Sequence, residues 1–151
     1  MRLGSHKRYS YNFSHSCVVY PTTSHGLSYT TWDYSNLKAS RTEVTADVRN
    51  NGTRVGSEVP QLYLSYPPSA GEPPRQLKGF QKVLLQPGES KTVSFPLSSR
   101  SFSVWDPALH NWTLADGSFD VMVGSSSQDI RLTGSVHISP SALGGIQQEE
   151  W

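Results

Sequence analysis

The side chains able to do chemistry in this chain are twelve carboxylates, five histidines and one cysteine. General acid and base work needs two carboxylates facing one another across a substrate. The acids are Asp33, Glu43, Asp47, Glu58, Glu72, Glu89, Asp106, Asp116, Asp120, Asp129, Glu149 and Glu150. Most fall in turns or on the polar positions of alternating segments. Asp106 and Asp116 stand beside Pro107 and Gly117, where an Asp carboxylate bonds turn backbone. His6, His15, His25, His110 and His137 are scattered, with neither an i, i+4 nor a Cys-x-x-Cys-like spacing for a metal. Cys17 stands alone, so no internal disulfide forms. Ser125-Ser126-Ser127 lacks the Gly-x-Ser-x-Gly elbow of a serine nucleophile. Gly52, Gly56, Gly71, Gly79 and Gly88 punctuate strands and do not form a phosphate loop ahead of a helix. The residues thus read as holding no catalytic pair, no cofactor and no metal.

The elements around these residues are short strands. Leu27, Tyr29 and Thr31 alternate with Ser28, Thr30 and Trp32. Val44, Ala46 and Val48 alternate with polar residues as a half-buried strand does. Asn50-Asn51-Gly52 stops it, since Asn and Gly tolerate positive φ. A strand over Glu58–Tyr66 sets Leu62, Leu64 and Tyr66 against Val59, Gln61 and Tyr63, with Pro60 marking an edge or a bulge. A prolyl loop spans Pro67–Pro74. A strand over Gln76–Leu85 carries Leu77, Phe80, Val83 and Leu85. Gln86-Pro87-Gly88-Glu89 has the composition of a type II turn. Val93, Phe95 and Leu97 follow in period two, and Phe102, Val104 and Trp105 precede a turn at Asp106-Pro107. Trp112 and Leu114 lead to Ala115-Asp116-Gly117, which reads as a hairpin signal. Phe119, Val121 and Val123, then Ile130, Leu132, Val136 and Ile138, complete the pattern. Val93, Phe95, Phe119, Val121 and Val123 are expected to face the core. No window shows helical periodicity. Seven or eight short strands with turns between them imply an all-β, antiparallel β-sandwich.

The net charge of +1 supplies no basic face for nucleic acid. The apolar runs are only a few residues long, which argues against a helical membrane span. Met1–Arg8 is basic, but no apolar stretch of signal-peptide length follows it. Residues 1–24 read as a poorly ordered arm or connector, 25–139 as the sandwich and 140–151 as a flexible tail.

Certain strings are more specific. Glu58-Val59-Pro60-Gln61-Leu62-Tyr63-Leu64-Ser65-Tyr66-Pro67 leads into Gly71-Glu72-Pro73-Pro74-Arg75-Gln76-Leu77-Lys78-Gly79-Phe80-Gln81-Lys82-Val83, then Leu85-Gln86-Pro87-Gly88-Glu89-Ser90. Gly26-Leu27-Ser28-Tyr29-Thr30, Val48-Arg49-Asn50-Asn51-Gly52, Trp105-Asp106, Gly117-Ser118-Phe119 and Val123–Ser127 accompany them in order. From Gly26 to Leu132 the chain resembles the C-terminal fibronectin type III-like domain of glycoside hydrolase family 3, especially fungal β-glucosidases. Family members usually reach Gly-Leu-Ser-Tyr through Tyr-Pro-Phe-Gly, whereas here Tyr20-Pro21 is followed by Thr22-Thr23-Ser24-His25. Residues 1–19 do not resemble the family, and the segments carrying its Asp nucleophile and acid/base have no counterpart here.

The resemblance implies a fibronectin type III-like, immunoglobulin-like sandwich. Its role would be non-catalytic: it would stabilise or dock the catalytic domains during hydrolysis of a β-glucoside such as cellobiose. It also implies an extracellular parent active in carbohydrate metabolism and cellulose degradation. Retaining glycoside hydrolysis needs carboxylates about 5–5.5 Å apart, and the scattered acids offer no such pair. The alternative is a free-standing module that binds plant cell-wall polysaccharide or lignin through surface aromatics. Candidate docking or ligand-surface residues are Tyr29, Tyr63, Tyr66, Arg75, Leu77, Lys78 and Trp112. The plainer reading makes Trp105 and Trp112 core or hairpin-packing residues. Three Asn-x-Ser/Thr sequons, at Asn12, Asn51 and Asn111, are candidate glycosylation sites.

Overall fold

The computed structural model describes residues 28–139, so the arm at 1–24, Asn12 and the tail at 140–151 lie outside the described residues. Eleven strands follow one another: β1 (Trp32–Ala39), β2 (Glu43–Asn50), β3 (Gly56–Glu58), β4 (Gln61–Ser65), β5 (Gln76–Phe80), β6 (Val83–Leu85), β7 (Ser90–Pro96), β8 (Ser103–Asp106), β9 (Asn111–Leu114), β10 (Gly117–Gly124) and β11 (Ile130–Ile138). Single 3₁₀ turns occupy Pro68–Ala70 and Ser99–Phe102. One sheet has the order β1-β2-β7 and the other β11-β10-β4-β5, while β3–β6 and β8–β9 form two-stranded ribbons. All pairs are antiparallel.

Alternation decides what the core contains. In the first sheet Val44 faces Phe95 and Ala46 faces Val93 across the ladder, and all four are buried. In the second, Val121 pairs with Leu64 and Val123 with Leu62, and these too are closed to solvent. Phe119 lies between Tyr66 and Phe102, whose rings meet it edge-on at centroid distances of 5.0 and 5.1 Å. The five residues expected to face the core do so. The turn at Gln86–Glu89 closes through Glu89 N–H donating to Gln86 O at 3.0 Å, with Gly88 at φ +79°.

Four details differ from the sequence reading. The first strand begins at Trp32, and the buried set is Thr30 and Trp32, whereas Tyr29 is 93% exposed. The larger indole gains more by burial, and Ser28 Oγ accepts its Nε1–H at 3.2 Å. The span Glu58–Tyr66 is not one strand. It breaks at Val59-Pro60, where the chain leaves the β3–β6 ribbon for the second sheet, because Pro cannot donate to a ladder. The span Gln76–Leu85 likewise breaks at Gln81-Lys82. Lys78 is an extra residue opposite the Leu62–Tyr63 step, a bulge that puts Leu77 and Phe80 on the outward face together. Ala115-Asp116-Gly117 makes no hairpin. It carries the chain from β9 to β10, which pairs with β4 and β11.

Candidate docking surface and the groove beside it

The sequence-derived surface residues separate into buried and exposed groups. Tyr63 and Tyr66 are buried, at 6% and 8% exposure, and so cannot serve as an open platform. Tyr63 is on the outward side of β4 between its ladder partners Leu77 and Met122, and its hydroxyl donates to Gln61 Oε1. Tyr66 donates its hydroxyl to Ser101 O at 2.7 Å. Burial, with the Glu72 charge nearby, pushes that phenol up to about 12. These contacts explain their burial, since each ring is worth more packed than wet.

The exposed group is apolar along one stretch. Leu77, Phe80 and Leu84 are 52%, 69% and 66% exposed. Leu77 and Phe80 sit on β5, an edge strand of its sheet. Leu84 is the outward residue between buried Val83 and Leu85. Gln81 N–H donates to Pro60 O at 3.1 Å, which brings the partly exposed Val59 alongside. Of these, only Leu77 stood among the candidate site residues. Phe80 and Leu84 were legible as apolar strand residues, but their outward direction depends on the bulge at Lys78 and on the break before β6.

On a neighbouring side lies a groove of about 310 Å³ lined by Glu72, Gln76, Lys78, Ser98, Arg100, Ser101, Ser103 and Trp112. Trp112 faces Trp105 across the β8–β9 ribbon, ring centroids 5.6 Å apart and edge-on. The Arg100 guanidinium lies 3.5 Å from the Trp112 ring centroid. Both indoles are part-exposed, so they pack on the hairpin and not in the core. Lys78 Nζ stands 5.0 Å from the Tyr66 ring centroid and donates to Gln76 Oε1 at 2.9 Å. Partial burial lowers its pKa, Glu72 raises it and Arg100 lowers it further. Arg75, which is exposed, donates from its guanidinium to Ser127 O.

A third polar group lies near β1, β3 and β11. Tyr34 donates to Glu58 Oε1 at 2.8 Å, and Asp129 holds Arg131 at 2.7 Å and accepts Ser125 Oγ–H at 2.7 Å. Burial raises the Glu58 pKa, opposed by the Tyr34 hydrogen bond and the Arg131 charge. Burial and the Glu58 hydrogen bond push the Tyr34 phenol far up. The sequon residues Asn51 and Asn111 are both exposed, Asn111 at the start of β9. Among the described residues, no three His, Cys, Asp or Glu side chains come together as a metal site would need.

Two antiparallel sheets closed over a shared core define a fibronectin type III-like β-sandwich. Residues 58–127 match the family described as "Fibronectin type III-like domain". The chain is 44% identical over 134 residues to probable beta-glucosidase L of Emericella nidulans, covering 73% of this chain and 18% of that protein. Among solved structures, beta-glucosidase D2-BGL from Chaetomella raphigera superposes with a TM-score of 0.74 at 41% identity, over 77% of this chain and 20% of that one. The GH3 beta-glucosidase of Bifidobacterium adolescentis gives 0.71 at 34% identity, over 76% and 18%. The chain therefore belongs to the fibronectin type III-like domains of glycoside hydrolase family 3 β-glucosidases, and it spans 18–20% of the length of these relatives.

Proposed function

We propose that this sandwich is a non-catalytic accessory module that docks against the catalytic domains of a family 3 β-glucosidase. There it stabilises their arrangement while a β-glucoside such as cellobiose is hydrolysed elsewhere. The observation that carries this reading is the exposure of Leu77 and Phe80 on the edge strand β5, with Leu84 exposed on β6 of the β3–β6 ribbon, which follows it in the chain. An apolar edge strand left in water invites pairing or aggregation, so a partner is the economical way to cover it. The partly buried carboxylates support the non-catalytic role: Glu58 is engaged by Tyr34 and Asp129 by Arg131 and Ser125. Neither is left to face a sugar. An extracellular parent agrees with exposed sequons at Asn51 and Asn111, which we read as glycan acceptors.

The test is a graft of residues 28–139 into beta-glucosidase D2-BGL from Chaetomella raphigera in place of its matching segment. Phe80→Asp with Leu84→Asp should lower the melting temperature of the graft by several degrees and leave that of the separate module nearly unchanged. Equal effects in both contexts would remove the docking role from this face.

A further inference from the structure

We propose that the protein surface covering the docking face is apolar at its centre and carries carboxylates at its rim, opposite Arg54, Arg75 and Lys82. This rests on the docking reading above and adds the chemistry of the partner. The face is wider than β5. On β3 Glu58 turns inward onto Tyr34, and Gly56 lies against the Trp32 ring. Val55, Ser57 and Val59 alternate with them and so turn outward. Ser57 pairs with Leu84, and Val55, at 52% exposure, and Val59 stand in the open beside that pair. The Gln81 N–H bond to Pro60 O joins this ribbon to Phe80. Leu77 continues the face beside Tyr63.

The charges set along this face are cations. Between Pro73 and Pro87 the chain has Arg75, Lys78 and Lys82 and no carboxylate. Lys78 turns away, to Gln76 and the Tyr66 ring. Arg75 and Lys82 are exposed, and so is Arg54, next to Val55. Arg75 meets only a backbone carbonyl, Ser127 O. Arg54 and Lys82 have no side-chain hydrogen bond or ion pair among the described residues. The carboxylates nearest in the chain are engaged elsewhere: Glu58 by Tyr34, Glu72 by Gln76 and Glu89 by Gln86 N–H. Asp120 is on β10, with β4 between it and β5.

Centre and rim together select the occupant. An acidic polysaccharide would meet the cations but offers no apolar surface to match Leu77, Phe80 and Leu84. A second copy of this chain would set cation against cation, so the face does not fit itself. An apolar protein surface fits the centre, and carboxylates at its edge form charge-assisted hydrogen bonds with the guanidinium and ammonium groups. Such rim pairs fix register and reject wrong partners more than they add affinity.

The test uses the Chaetomella raphigera graft, with the full chain as reference. Carbodiimide coupling joins an amine to a carboxylate with loss of water, and in the graft it should link Lys82 Nζ to a carboxylate of the larger part. Arg54→Glu with Lys82→Glu should lower the melting temperature of the graft by several degrees and leave that of the full chain nearly unchanged. Most of that loss should vanish at about 1 M salt, where charges are screened beyond about 3 Å. If Phe80→Asp with Leu84→Asp destabilises the graft while the charge reversals do not, and Lys82 forms no link, the acidic rim is overturned and the docking role stands. If neither pair destabilises it, the docking role falls and the proposal with it. Self-association of the full chain, or its co-sedimentation with phosphatidylserine vesicles, would also overturn the proposal if Phe80→Asp abolished it, since the face would then belong to a second copy or a lipid surface.

Discussion

Thr30 donates its hydroxyl proton to Asn50 Oδ1 across 2.5 Å, tying the chain ahead of β1 to the end of β2. Asn50 is fully buried, and every polar atom of its side chain is used. Its Nδ2 donates to Leu85 O at 3.0 Å and Arg54 O at 2.8 Å, and its Oδ1 also accepts Gly52 N–H at 3.1 Å. Removing it leaves several buried groups unpaired, at about 1–3 kcal/mol each. Asn50→Ala should therefore cost at least about 2 kcal/mol in urea unfolding. A loss within error of zero would mean that water replaces all four bonds.

Phe119 receives two aromatic edges and has no exposed surface. Phe119→Ala should cost about 3–5 kcal/mol, through lost transfer energy and the cavity left behind. Thermal unfolding checks it. An unchanged melting temperature would show that the β10 register is wrong, since a one-residue slip turns every side chain outward.

Gly117 and Gly88 both have positive φ, at +132° and +79°, but their surroundings differ. A Cβ at Gly117 would meet Pro67 Cγ at 2.9 Å, whereas at Gly88 nothing lies within 4 Å. Gly88→Ala should cost about 1 kcal/mol of backbone strain alone. Gly117→Ala should cost clearly more, since the stiff prolyl ring must also move. Equal costs in a paired denaturation series would count against the close Pro67 approach.

Glu58 yields a pH-dependent prediction. Burial holds its folded-state pKa above the ordinary 4.5, although Tyr34 and Arg131 pull it down and Asp129 adds to the rise. A raised acid binds its proton more tightly folded than unfolded. Its contribution is therefore most favourable below the ordinary value and is lost as pH rises through the folded value. Glu58→Gln keeps an acceptor for Tyr34 and cannot ionise. It should melt higher than the parent chain at neutral pH, with the gap closing as pH falls below 4.5. A gap that persists or widens in acid would contradict the assignment.

Much of this fold was legible because many strands have one wet face. Val44, Ala46 and Val48, or Val93 and Phe95, alternate visibly for that reason. β4 hides its pattern because Gln61, Leu62, Tyr63 and Leu64 are all buried, so both faces read alike. β1 hides its own through a bulge between Ser35 and Lys38, with Asn36 at φ +53°, which shifts the inward set from Trp32 and Tyr34 to Leu37 and Ala39. The surface was harder still. Tyr66 shares the alternation of Leu62 and Leu64, yet as an aromatic it also stood among the surface candidates. It is buried because Ser101, 35 residues away, takes its hydroxyl and Phe119 takes its ring. Alternation indicates the face, but no local spacing records which partners, that distant, close over it.

The central claim is that the Leu77–Leu84 face is covered by the larger part of a family 3 β-glucosidase. Hydroxyl-radical footprinting of Phe80 tests it most directly, comparing the separate chain with the Chaetomella raphigera graft. In the separate chain Phe80 is 69% exposed and should be oxidised readily, as should Trp105 at 48%. In the graft Phe80 and Leu84 should be protected several-fold, with Trp105 reacting as before. Equal labelling of Phe80 in both would contradict the account.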